Sequence, residues 1–143
     1  MKSHRNVVVL IPKGKDEKII LCRRAKDKFP FPDVWVCAVG GGIESGETPE
    51  RAMIREMEEE IGISADVNLV GKIFYDSEER SESLIIFTTS KPLEMKNIKI
   101  DEREIQYLRE FSIDEVLEMM DENPSEFAPT FVKVFLEFAR KSK

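Results

Sequence analysis

Residues Gly41 to Ile63, GGIESGETPERAMIREMEEEIGI, read as a loop, a short helix and a second loop. The Thr48 hydroxyl can accept from a free backbone N–H at a helix start, and Pro49 fits the first helical position. Gly62 suits the left-handed residue that closes a helix, so Pro49 to about Ile61 is expected to be helical. On that helix Glu56, Glu59 and Glu60 stand at i, i+3 and i+4 and project from one face. Met53, Met57 and Ile61 form a separate apolar stripe, with Ile54 at its edge. One face is anchored and another is acidic.

The acidic cluster is uncomfortable. Glu56 and Glu60 repel at i, i+4, and the carboxylates crowd the negative end of the helix dipole, each effect costing a few tenths of a kcal/mol. A solvated charged face, partly offset by Arg55, is the plain reading of an EEE run. The spacing of the whole stretch argues against it: Gly41, five residues, Glu47, seven residues, then Arg55-Glu56-Met57-Glu58-Glu59-Glu60-Ile61-Gly62-Ile63.

This resembles the signature of the Nudix hydrolase family, G-x5-E-x7-R-E-U-x-E-E-x-G-U with U an aliphatic residue. Every specified position is met, nine of them over twenty-three residues. The resemblance implies an α/β fold, an α/β/α sandwich around a mixed sheet, and MutT-like hydrolysis of a nucleoside diphosphate linked to some group X. It also implies roles by position. Glu56, Glu59 and Glu60 become metal ligands, joined by a carbonyl of Gly40 or Gly41, and Glu47 and Arg55 support the site by an ion pair that orients loop and helix. Family members often draw a further carboxylate, as ligand or base, from a later loop. Glu104 is the first candidate here, with Glu102 and Glu79 behind it and an ordinary strand-start charge as the alternative. The general base is left open between Glu56, Glu59 and Glu104.

Three carboxylates beside a glycine backbone suit magnesium, a hard cation that shares oxygen ligands with substrate phosphates, or manganese in its stead. The formal charge of −6 opposes non-specific binding to a nucleic-acid backbone, so the expected partner is a small nucleotide and not a duplex. At 143 residues one domain, 1–143, is expected. Cys22 and Cys37 show no C-x-x-C spacing and His4 is the sole imidazole, so neither a disulfide framework nor a zinc site is suggested. No apolar stretch has the length of a signal core or a membrane span. A cytoplasmic protein, monomer or homodimer, is the expectation.

Val7–Ile11 reads as a buried strand, and Lys15–Lys18 as a charged turn before a second strand at Ile19–Cys22. That strand delivers Arg23 and Arg24, read either as strand-end solvation or as phosphate contacts. Phe29–Trp35, with two prolines, is a loop. Trp35–Val39 reads as a single strand leading into Gly40-Gly41-Gly42, where the backbone can approach a metal or phosphate closely or simply turn. Strands are expected at Val67–Tyr75 and Leu84–Thr89, separated by a polar turn at Asp76–Glu82. A strand at Glu104–Phe111 places Ile105, Tyr107 and Phe111 on one face. The Ser-x-x-Glu box at Ser112 starts a helix to about Met120. Phe131, Phe135 and Phe138 recur at helical spacing between Pro129 and Arg140 and read as core.

The box does not fix X. Isopentenyl diphosphate isomerases of similar fold rely on histidines, and ADP-ribose pyrophosphatases often carry a proline some fifteen residues past the box, where this chain has none before Pro92. A short chain, the Pro32-x-x-Trp35 approach and Arg23-Arg24 favour a nucleoside triphosphate pyrophosphohydrolase, with ADP-ribose or dinucleoside polyphosphate hydrolysis as the alternative. Glu110 departs from that type, which commonly places an aromatic before Phe111. A regulatory module that binds a nucleotide without hydrolysing it is a further reading, disfavoured because all the box glutamates are present. The base needs an aromatic surface, for which Phe31, Phe29 and Phe74 are candidates, although each read alone is a core residue.

Overall fold

The apolar β-branched runs and the capped amphipathic segments decide the architecture of residues 3–142, which the computed structural model describes. The strands are β1 (Ser3–Leu10), β2 (Ile19–Arg24), β3 (Trp35–Cys37), β4 (Val39–Gly42), β5 (Val67–Asp76), β6 (Arg80–Thr89) and β7 (Ile105–Phe111). The α-helices are α1 (Pro49–Ile61), α2 (Ile113–Glu122) and α3 (Pro129–Lys141).

The strands divide into a four-stranded sheet, β4-β1-β6-β5, and a three-stranded one, β3-β2-β7. The larger is mixed: β1 runs parallel to β6 and antiparallel to β4, and β5 closes on β6 as an antiparallel hairpin. The smaller is antiparallel throughout.

Strand periodicity builds a core on each face. Val7, Val9 and Ile11, with Ile19, Leu21, Leu84 and Ile86, pack against Phe131, Phe135 and Phe138 of α3 and Val116 of α2. The intervening Val8, Leu10, Ile20, Cys22 and Phe87 pack against Met53, Met57 and Ile61 of α1. Strands buried on both faces read as continuous apolar runs, as Val7–Ile11 does. The result is an α/β/α sandwich.

Several expectations are corrected. The Trp35–Val39 strand is two strands, β3 and β4, that belong to different sheets and part at Ala38. Gly40–Gly42 form neither loop nor tight turn; they are strand residues facing Val9, Val8 and Val7 of β1. The polar hairpin is tighter than the Asp76–Glu82 turn, because β5 extends through Asp76 and β6 starts at Arg80. Ile105 and Tyr107 do not share a face. The register slips between Arg23 and Arg24, so Arg24 opposes Ile105 and Arg23 opposes Tyr107, which flips the alternation across Gln106. Phe29, Phe31 and Phe74 are exposed and not core, because two lie in the proline-rich loop and the third on a β5 face that α1 does not cover.

Candidate active site

Helix α1 starts and stops on its caps: the Thr48 hydroxyl accepts from Arg51 N–H at 3.2 Å, and Gly62 closes it with φ +69°. Its buried stripe of Ala52, Met53, Met57 and Ile61 presses it onto β4 and β1, which points the acidic face at the glycine strand.

Arg55 is the hub of the loop and helix. Its Nε and Nη2 donate in parallel to Glu47 at 2.7 and 2.9 Å, while Nη2 also reaches the Gly42 carbonyl at 3.1 Å. Nη1 donates to Glu56 at 2.8 Å and Glu59 at 3.4 Å. The bidentate guanidinium, helped by the Glu44 N–H, holds the Glu47 carboxyl down at about 2.

Glu60 behaves in the opposite way. Burial, a hydrogen bond with Glu56 and the charge of that neighbour push its carboxyl up to about 8. The two carboxylates stand together in a place where a cation would satisfy both. Gly41 makes room for this pair: a Cβ at that position would overlap the Glu56 carboxylate. The donors are all carboxylate or carbonyl oxygens, the set that fits a hard divalent cation. Among the described residues no three acidic, imidazole or thiol groups already surround one point, because Glu59 is drawn to Arg55. The thiols are spectators, both free, and burial pushes Cys22 up to about 12.

Glu59 and Glu60 border a cavity of about 430 Å³ that also takes in Arg24, Lys99, Asp101 and Glu104. Glu104 is held by Lys28 at 2.7 Å. The Arg24 Nε is buried with no hydrogen-bond partner among the described residues, while Gln106 fixes the Arg24 carbonyl at 2.9 Å. Arg23 lies elsewhere: it donates to Asp33 at 2.9 Å and Glu126 at 3.3 Å and stacks over Trp35. Strand alternation sends these two sequence neighbours to opposite faces of β2, one toward the cavity and one into the scaffold. Phe31 and Glu79 border a different cavity, of about 580 Å³, beside α3. Glu102 is exposed and lines neither.

Lys99 and Asp101 are cavity residues that sequence reasoning passed over. Their segment reads only as a charged loop, and nothing local signals that Lys99 N–H bonds the Ile61 carbonyl at 3.1 Å and lays its stem across Gly62.

The family model of the NUDIX domain matches residues 2–131. The chain is 37% identical over 84 residues to an 8-oxo-dGTP diphosphatase of Escherichia coli, a match covering 54% of this chain and 60% of that enzyme. It is 43% identical over 51 residues to the nucleoside triphosphatase NudI of an Enterobacter species, covering 36% of each. Among solved structures, a MutT protein from Methanosarcina mazei superimposes with a TM-score of 0.78 at 22% identity, over 99% of this chain and 97% of that one. The matches to the two enzymes span less than two-thirds of either, whereas the family match runs almost the length of this chain. The chain belongs to the Nudix family of hydrolases.

Proposed function

We propose that this protein is a magnesium-dependent nucleoside triphosphate pyrophosphohydrolase that releases a nucleoside monophosphate and pyrophosphate. The observation that carries the reading is the Glu56 carboxylate packed against Gly41, with Glu59, Glu60, Glu104 and the unpartnered Arg24 Nε around the adjoining cavity. The partial likeness to an 8-oxo-dGTP diphosphatase and a nucleoside triphosphatase supports the same substrate class.

Glu56, Glu59, Glu60 and the Gly41 carbonyl would hold the metal, with manganese as the substitute. When bound, a divalent cation neutralises charge developing on the phosphate oxygens and lowers the pKa of water. The Arg24 guanidinium binds the phosphate chain, which is the one strong partner its buried Nε lacks. A carboxylate among Glu56, Glu59 and Glu104 accepts the proton of the water that attacks an internal phosphorus. Arg55 and Glu47 keep the loop and helix in register, so the acids stay aimed at the substrate. A chain of net charge −6 offers few cations, which suits a compact polyphosphate that brings its own metal.

A panel of ATP, dGTP, an oxidised dGTP, ADP-ribose and a dinucleoside polyphosphate, with both products identified, tests the proposal. Monophosphate plus pyrophosphate from a triphosphate is expected. A clear preference for ADP-ribose, yielding AMP and ribose phosphate, overturns the substrate class.

A further inference from the structure

The cavity beside α1 holds cations that no anion answers. Three of its acids are already paired with cations: Arg55 reaches Glu59 at 3.4 Å, Arg103 holds Asp101 at 3.0 Å and Lys28 holds Glu104 at 2.7 Å. Its own cations are not paired. The Arg24 Nε is buried without a hydrogen bond, and the Lys99 ammonium makes no hydrogen bond or ion pair among the described residues.

Lys99 is nonetheless fixed in place. Its backbone N–H donates to the Ile61 carbonyl, and its side chain crosses Gly62, where Cδ would stand 3.2 Å and Cε 3.8 Å from a Cβ. One further bond of about 1.5 Å puts the ammonium within about 5 Å of that point. Glu59 and Glu60 lie in the turn just before Gly62, so the ammonium stands about one helical pitch, about 5 Å, beyond them. A stem held this way loses little further rotamer freedom when its ammonium binds.

The lining says which part of a nucleotide belongs here. Among the described residues around this cavity none is aromatic, so a base finds no stacking surface. Phosphate oxygens instead meet Arg24 from β2 and Lys99 from the segment before β7.

We propose that Lys99 binds the terminal phosphate of the substrate and so selects nucleotides whose phosphate chain has a free end. This rests on the reading of the protein as a nucleotide hydrolase and sharpens it. A terminal phosphate carries close to two charges above its second pKa of about 6, while a phosphate bridged or esterified on both sides carries one. An ammonium is a compact point charge with three donors, so it favours the dianion. ADP-ribose and dinucleoside polyphosphates are capped at both ends and present no such group.

Two unhydrolysable probes isolate that feature: dGTP with difluoromethylene groups in place of both bridging oxygens, and the same analogue with a methyl ester on its terminal phosphate. Their binding to the wild type and Lys99→Gln is measured by calorimetry with magnesium at about pH 8, above the second phosphate pKa. The wild type is expected to bind the free-ended analogue at least about tenfold tighter than its ester, and the ratio to fall to about threefold or less in Lys99→Gln. A wild-type ratio of about threefold or less, or a ratio undiminished in Lys99→Gln, overturns the assignment. The wild-type comparison needs no variant to fold. Pyrophosphate release from dGTP by the same wild-type sample reports separately on the triphosphate reading. Its absence beside a Lys99-dependent preference removes that reading and leaves the assignment standing, and its presence beside equal binding of the two probes does the reverse.

Discussion

At Gly41 the lack of a Cβ is what admits the Glu56 carboxylate. The backbone there is ordinary strand paired to Val8, so the requirement is for space and not for an unusual conformation. Gly41→Ala should therefore fold, with a melting temperature near wild type, yet displace Glu56 and lower kcat by about a hundredfold, the scale of a 1 Å misplacement in a site. Steady-state kinetics beside thermal melting checks it, and a variant with wild-type kcat contradicts the spatial role. The need for a glycine here was legible from its place in the box, but the reason was not. That reason is a contact between a strand residue and a helix residue fifteen positions apart, which no local pattern carries.

Helix α1 was legible end to end because its signals are local: the Thr48 cap, Pro49, the apolar stripe and Gly62 all act within a few residues. The strands were located but their boundaries drifted. The parting of β3 from β4 and the slip at Gln106 depend on partners far away in the chain. How the loop is held to α1 makes a prediction at this scale. Glu47 titrates near 2 in the folded protein against an ordinary 4.5, because Arg55 grips it. A carboxyl lowered in the folded state adds stability that is complete above the unfolded value and is lost as pH falls from 4.5 through 2. Melting temperatures measured between pH 6 and 2 should fall less steeply in Glu47→Gln than in wild type; identical slopes would remove the clamp from the account. Arg55→Ala should likewise weaken magnesium binding, followed by calorimetry, because the ligands lose their common anchor.

Across the whole molecule, the alternation of β1, β2 and β6 sends successive residues to two separate cores. The α3 side rests on stacked phenylalanines, with Phe131 to Phe135 at 5.7 Å and Phe135 to Phe138 at 6.0 Å. Phe135 is fully buried, so Phe135→Ala should cost about 3–5 kcal/mol in denaturant unfolding. The acidic helix stands on the other core, which leaves the chemistry to be judged separately from stability. The most direct test of that chemistry is pyrophosphate release from dGTP by the wild type, Glu59→Gln and Glu60→Gln, each with chelator and with added magnesium. The account predicts no release with chelator, turnover by the wild type on adding magnesium, and rates lower by orders of magnitude in both folded variants. Wild-type rates in both variants with magnesium present would contradict it.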